Sequence, residues 1–176
     1  MPSLPQRKFA LLALCLLFTG CGKSPATNTQ TASSGNEPLP IASTDVVKPS
    51  PQEATLTRGE SGDLLVPIKI EHGYHVNANP PSYSYLKATE LEIPPAAGIS
   101  VEYITYPDPL IKQFAFAEKP LAVYEGETII KARLKADKSV QPGRHNLSAR
   151  LRVQACDDKV CYAPGVMDIE VPVNIK

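Results

Sequence analysis

Hydrophobic residues recur at every second position through four stretches of the chain, which is the period of a strand with one buried face. Leu64, Val66, Ile68 and Ile70 share one face of the first stretch. Ile130, Ala132 and Leu134 share a face of the second, with Lys131 and Arg133 opposite. Leu147, Ala149, Leu151 and Val153 alternate with Ser148, Arg150 and Arg152, and Ile169, Val171, Val173 and Ile175 form the last row. Turn signals separate the runs: Pro94-Pro95, Glu125-Gly126 and Gln141-Pro142-Gly143. No stretch from residue 54 onward keeps a helical period. The pattern predicts an all-β domain over residues 54–176, an immunoglobulin-like antiparallel β-sandwich, with a closed barrel as the alternative.

The residues ahead of this domain follow other rules. Arg7 and Lys8 precede an apolar run from Phe9 to Phe18, which is short for a permanent membrane span and reads as a secretory signal over residues 1–20. Phe18-Thr19-Gly20-Cys21 resembles the bacterial lipobox, in which the cysteine is acylated and becomes the mature amino terminus. Acyl chains on Cys21 would hold the protein at a membrane, since each buried methylene contributes about 0.8 kcal/mol. Gly22 follows where an inner-membrane sorting signal would place aspartate, which by resemblance to enterobacterial sorting implies the outer membrane. Residues 21–53 are rich in Ser, Thr, Asn, Gln, Ala and Pro and lack an apolar period. Such a segment buries too little surface to offset its ordering entropy. It reads as a flexible tether, and about 30 residues of this kind span on the order of 30 Å root-mean-square.

Composition narrows the partners. The chain has 176 residues, with 18 basic and 18 acidic side chains and a formal net charge of zero. Nucleic acid is excluded as a partner, because phosphate binding needs a basic face. Eighteen prolines and no tryptophan argue against a long-helix protein. About 125 residues remain after the leader and tether, enough for one domain with its own core and a monomeric state.

The chemistry concentrates in Gln154-Ala155-Cys156-Asp157-Asp158-Lys159-Val160-Cys161-Tyr162-Ala163-Pro164. Of four cysteines, Cys15 lies in the signal and Cys21 at its end, so Cys156 and Cys161 are the pair left in the folded domain. Asp157 and Asp158 favour a turn between them, strand patterns lie on both sides, and a short-range disulfide is the natural reading. A catalytic Cys-x-x-Cys has its first thiol at a helix amino terminus, which lowers the thiol pKa. Here no helix is predicted, and the fields of Asp157 and Asp158 oppose thiolate formation, with Lys159 offsetting part. The pair therefore suits a relay that waits for a partner's activated thiolate. His72, His75 and His145 lack paired zinc-ligand spacings, so no metal or other cofactor is expected. Ser-His-Asp order, phosphate loops and paired carboxylates are likewise missing as patterns, which leaves hydrolase and nucleotide readings without support.

Several motifs together resemble the amino-terminal periplasmic domain of the thiol:disulfide interchange protein DsbD. They are Gln154, Cys156, Cys161, Tyr162 and Pro164; Gly73-Tyr74-His75-Val76-Asn77 followed by Thr89-Glu90-Leu91; and Tyr106-Pro107 leading through a phenylalanine to Val123-Tyr124-Glu125-Gly126. The resemblance implies an immunoglobulin-like domain that passes reducing equivalents to periplasmic thiol proteins, including disulfide isomerases or cytochrome c maturation factors. It implies that Cys156 and Cys161 are the exchanging pair, with Cys161 forming the mixed disulfide. It also implies an aromatic cap over the pair, for which Phe116 is the first candidate and Phe114 the second, while Tyr162 and Pro164 shape the turn. The best-known relatives continue into a membrane electron-transfer domain and a thioredoxin-like domain. The expected partners are therefore thioredoxin-like periplasmic proteins or a separate membrane electron transporter, met at the periplasmic face of a lipid-anchoring membrane. The competing reading is a non-catalytic lipoprotein, a binding or assembly module whose disulfide only staples a sandwich edge. Closing so small a loop contributes about 2 kcal/mol, a modest reason for a bond to exist.

Overall fold

A computed structural model describes residues 41–176, and the signal peptide, Cys21 and most of the expected tether lie outside the described residues. Among the described residues the chain forms strands and turns without a helix. The strands run β1 (Val47–Pro49), β2 (Ala54–Leu56), β3 (Ser61–Ile70), β4 (His75–Asn77), β5 (Glu90–Glu92) and β6 (Ile99–Thr105). They continue as β7 (Leu110–Lys112), β8 (Leu121–Tyr124), β9 (Glu127–Ala136), β10 (Gly143–Val153), β11 (Ala155–Cys156) and β12 (Gly165–Ile175).

The four alternating runs become the four longest strands, β3, β9, β10 and β12. β3 and β9 pair antiparallel in the sheet β1-β3-β9-β6, and β10 and β12 pair antiparallel in the sheet β2-β12-β10-β5. Their apolar rows, including Leu64, Val66, Ile130, Leu134, Leu147, Leu151, Val171 and Val173, meet in one buried cluster. The result is the expected all-β, immunoglobulin-like sandwich. It departs from a purely antiparallel arrangement at one place, where β2 runs parallel to β12. The Glu125-Gly126 signal is the turn from β8 to β9, where Gly126 has φ of 62°, a left-handed conformation that favours glycine.

A third small sheet, β11-β4-β8-β7, carries the site. Side chains alternate across it, so its two faces belong to two cores. Val76, Tyr124 and Ala155 face the main cluster. Val123 and Leu121 join a second cluster with Phe114, against which Tyr83, Leu86 and Ala117 pack.

The folded part begins ahead of residue 54, where composition sets the boundary. Val46 and Val47 are each only 3% exposed, and β1 pairs with β3 through Val47↔Ile70, Lys48↔Lys69 and Pro49↔Ile68. Ser50 and Gln52 continue the contact by donating their backbone N–H groups to Pro67 O and Leu65 O. A three-residue edge strand carries too few side chains to show a period, and its stability comes from the strand it joins.

Candidate functional site

The loop between the two cysteines is a closed turn. Asp157 N donates to Val160 O at 3.0 Å, and Tyr162 N donates to Ala155 O at 2.8 Å. The Asp157 side chain caps the turn, its Oδ1 accepting from Lys159 N at 2.7 Å and Val160 N at 2.8 Å. Tyr162 donates its phenol to Asp157 Oδ2 at 2.7 Å. That bond and the burial of the ring push the phenol up to about 12, and the same bond holds the Asp157 carboxyl below its ordinary value. Within this turn Cys156 and Cys161 are joined by a disulfide, with Cα atoms 3.9 Å apart. Asp157 is thus a turn former, as expected, while Asp158 is exposed and adds a second negative charge beside the pair. Pro164 is also exposed, just beyond the turn.

Three distant segments mount the turn. Gln154 Oε1 accepts from Lys87 N at 2.7 Å and from Asn77 Nδ2 at 3.1 Å, while its Nε2 donates to Tyr162 O at 3.2 Å. Ser43, buried, accepts from Ala155 N at 2.9 Å and donates to Ala163 O at 2.6 Å, bracing both sides of the cysteine loop. Thr44 beside it packs so close to Gly165 that a Cβ added there would lie 2.6 Å from Thr44 Cγ2. Tyr162 leans on Tyr74 with ring centroids 6.2 Å apart. Gln154 and the segment around Asn77 stood out in the sequence. Ser43 did not, since a serine in a Ser/Thr-rich stretch carries no signal of the partner it will meet.

The two sulfurs sit in different surroundings. Cys156 is fully buried and stands directly opposite His75 in the β11–β4 pair. Cys161 is half-buried and lines a cavity of about 510 Å³ with Tyr83, Tyr85, Leu86, Phe116 and Val160. Phe116 is 39% exposed, whereas Phe114 is 5% exposed. The two phenylalanines continue a column of rings that begins at His75: His75 and Phe114 stack at 4.1 Å, and Phe114 and Phe116 at 5.5 Å. Of the two candidates for a cap, Phe116 shares the cavity with Cys161, and Phe114 belongs to the second core. Among the described residues no group of His, Cys, Asp and Glu is arranged to hold a metal ion.

A family model described as the N-terminal part of the thiol:disulfide interchange protein DsbD matches residues 43–172, nearly the whole folded part. No curated protein matches the chain. Among solved structures, the N-terminal periplasmic domain of ScsB from Proteus mirabilis is 18% identical with a TM-score of 0.51, covering 77% of this chain and 49% of that one. The chain therefore spans about half the length of that structure. The reduced N-terminal domain of DsbD from Neisseria meningitidis is also 18% identical, with a TM-score of 0.48 and coverage of 76% of this chain and 90% of that one. At this identity the likeness to ScsB is one of fold.

Proposed function

We propose, starting from a chain that belongs to the DsbD N-terminal family of thiol:disulfide interchange domains, that Cys156 and Cys161 relay electron pairs between a thioredoxin-like protein and periplasmic thiol proteins. The observation that carries this reading is the asymmetry of the bond. One sulfur is buried, and the other lines an apolar cavity at the surface. In the reductive half, a donor thiolate attacks Cys161 Sγ, the Cys156–Cys161 bond breaks, and its electron pair leaves on Cys156. The donor's second thiol then attacks the mixed disulfide, and the donor departs oxidised with Cys156 and Cys161 both reduced. The oxidative half runs the same steps backwards onto an acceptor disulfide.

Tyr85, Val160, Phe116, Leu110 and Ile111 are exposed apolar side chains, and the first three surround the cavity that holds Cys161. An exposed apolar surface around a half-buried sulfur suits docking of a protein partner with an apolar face of its own. Once the disulfide is reduced, the negative charge of Asp157 and Asp158 opposes thiolate formation at the pair. In this reading Cys21 supplies a lipid anchor at the periplasmic face of the membrane, and the residues before 41 give the domain its reach.

The test is the reduction potential of the Cys156–Cys161 pair, measured by equilibration with glutathione buffers and thiol trapping. The expected value lies in the range of redox proteins, about −180 to −270 mV, within reach of thioredoxin-like partners. A value well below about −300 mV would mark the bond as a structural staple and return the chain to the binding-module reading.

Phe116→Ala probes the cap. Stacking of an aromatic pair contributes about 0.5–1.5 kcal/mol, so losing the Phe114–Phe116 contact should raise the open population about 2- to 10-fold. The reduced pair should react with small thiol reagents faster by that factor. An unchanged rate would remove Phe116 from the mechanism.

A further inference from the structure

His75 is placed where a histidine has no packing reason to be. Its ring is buried in the second core, stacked on Phe114, and its Nε2 has no hydrogen-bond partner among the described residues. Buried polar atoms are almost always paired; among the described residues His75 Nε2, Asn77 Oδ1 and Arg152 Nε are not, and each asks for an explanation. A phenylalanine would stack on Phe114 equally well and leave nothing unpaired. The β11–β4 register sets His75 directly across from Cys156, on the same face of the sheet. Side chains in such a pair have Cβ atoms about 4.5–5.5 Å apart, within reach of an imidazole and a sulfur. While Cys156 is bonded to Cys161 its sulfur is neutral and carries no proton. Once the bond is broken, Cys156 becomes a buried thiol or thiolate, shielded from water, and needs a polar partner.

We infer that His75 is the proton partner of Cys156, accepting the proton from its thiol when the pair closes to a disulfide and returning it when the pair opens. This rests on the exchange reading given above. In ring closure, a partner is held as a mixed disulfide on Cys161. The Cys156 thiol passes its proton to His75, its sulfur attacks Cys161 Sγ, and the bond to the partner breaks. The electron pair leaves on the partner's sulfur, so the partner departs reduced and Cys156 and Cys161 are oxidised. The proton passes on to solvent or to the departing thiolate. Reduction runs the same proton back onto Cys156.

The surroundings fit a base that is neutral at rest and tolerates a transient charge. Burial lowers the His75 pKa from the ordinary 6.5. The groups that face it from the neighbouring elements are Lys112 from β7, Glu125 after β8, and Asp157 and Asp158 from the cysteine turn. Lys112 opposes an imidazolium, and the three carboxylates favour it. Lys112 is itself paired with Glu125 at 2.6 Å, so the two aspartates, partly offset by Lys159, add negative charge on the side of the cysteine turn. Here the acidic turn acquires a second use, since the charges that suppress a free thiolate also stabilise the imidazolium formed when that thiol is deprotonated.

The experiment follows the closure step itself. Reduced protein is mixed with oxidised glutathione, quenched in acid, and the glutathione mixed disulfide on Cys161 is counted by mass across about pH 5 to 9, where imidazole and thiol titrate. His75→Phe keeps the ring stack and removes the base, and His75→Asn keeps polarity without basicity. Both should slow closure near pH 7 by at least about 10-fold, so the mixed disulfide accumulates. In both, closure should follow a thiol titration at or above about pH 8.5, while the natural protein reaches its plateau at lower pH. Closure with the natural rate and pH profile in either folded variant would overturn the inference. Glutathione is the only reactant, so this result stands apart from the exchange reading, which fails instead on a structural reduction potential.

Discussion

A chain that begins at residue 54 should lose most of its stability relative to one that begins at residue 41. The shorter chain keeps every long strand and the whole cysteine turn, yet it lacks β1, Val46, Val47 and Ser43. Burial of each valine contributes about 1.5–3 kcal/mol. Ser43 adds two hydrogen bonds, each worth about 0.5–1.5 kcal/mol net, and its loss strands the Ala155 N–H in a buried place. Together the loss exceeds about 4 kcal/mol, against a total near 5–15 kcal/mol for a domain of this size. Removing β1 also bares the edge of β3, whose unpaired backbone groups invite association. Urea midpoints of the two chains, read by the same probe, test this. Equal midpoints would show that residues 41–53 lie on the sandwich without bracing it. Ser43→Ala isolates the local part, with an expected loss of about 1–3 kcal/mol and a looser cysteine turn.

Replacing each cysteine in turn should give opposite trapping behaviour. If the pair exchanges as proposed, either change should abolish turnover, because exchange needs both sulfurs. Cys156→Ser leaves the half-buried Cys161 thiol, which should form a lasting mixed disulfide with a thioredoxin-like protein that keeps only its attacking cysteine, activated as a mixed disulfide with a small leaving thiolate, since neither protein then has a second thiol to release the other. Cys161→Ser leaves Cys156, which is fully buried behind the turn. Reaching it requires the turn to open, and an opening that costs about 3 kcal/mol slows reaction about 100-fold. Rates of mixed-disulfide formation, followed by mass, separate the two variants. A faster reaction at Cys156 would reassign the attacked sulfur and with it the direction of the relay through the turn.

Much of the architecture was legible along the chain because alternation is a local property. Leu147, Ala149, Leu151 and Val153 could only be a strand with one apolar face, and β10 has that face in the main core. The turn between the cysteines was legible for a similar reason, since Asp157 makes its hydrogen bonds to backbone groups two and three residues away. The start of the domain was not. Val46 and Val47 pack as core residues, but two valines in a polar stretch look the same whether or not a strand edge waits for them.

The sequence by itself therefore determined the fold class, the position of the cysteine turn and the family, all of which depend on spacing within a few residues or on motifs read in order. Tertiary structure alone decided which sulfur is buried, which phenylalanine shares the cavity of the other, which serine braces the turn and which histidine stands across from Cys156. Those four facts arise where β11 meets β4, where residues 43 and 44 meet the loop around Ala163, and where the segment around Phe116 folds over the third sheet. Each joins residues far apart in the chain, and burial of a side chain is a property of what comes to cover it.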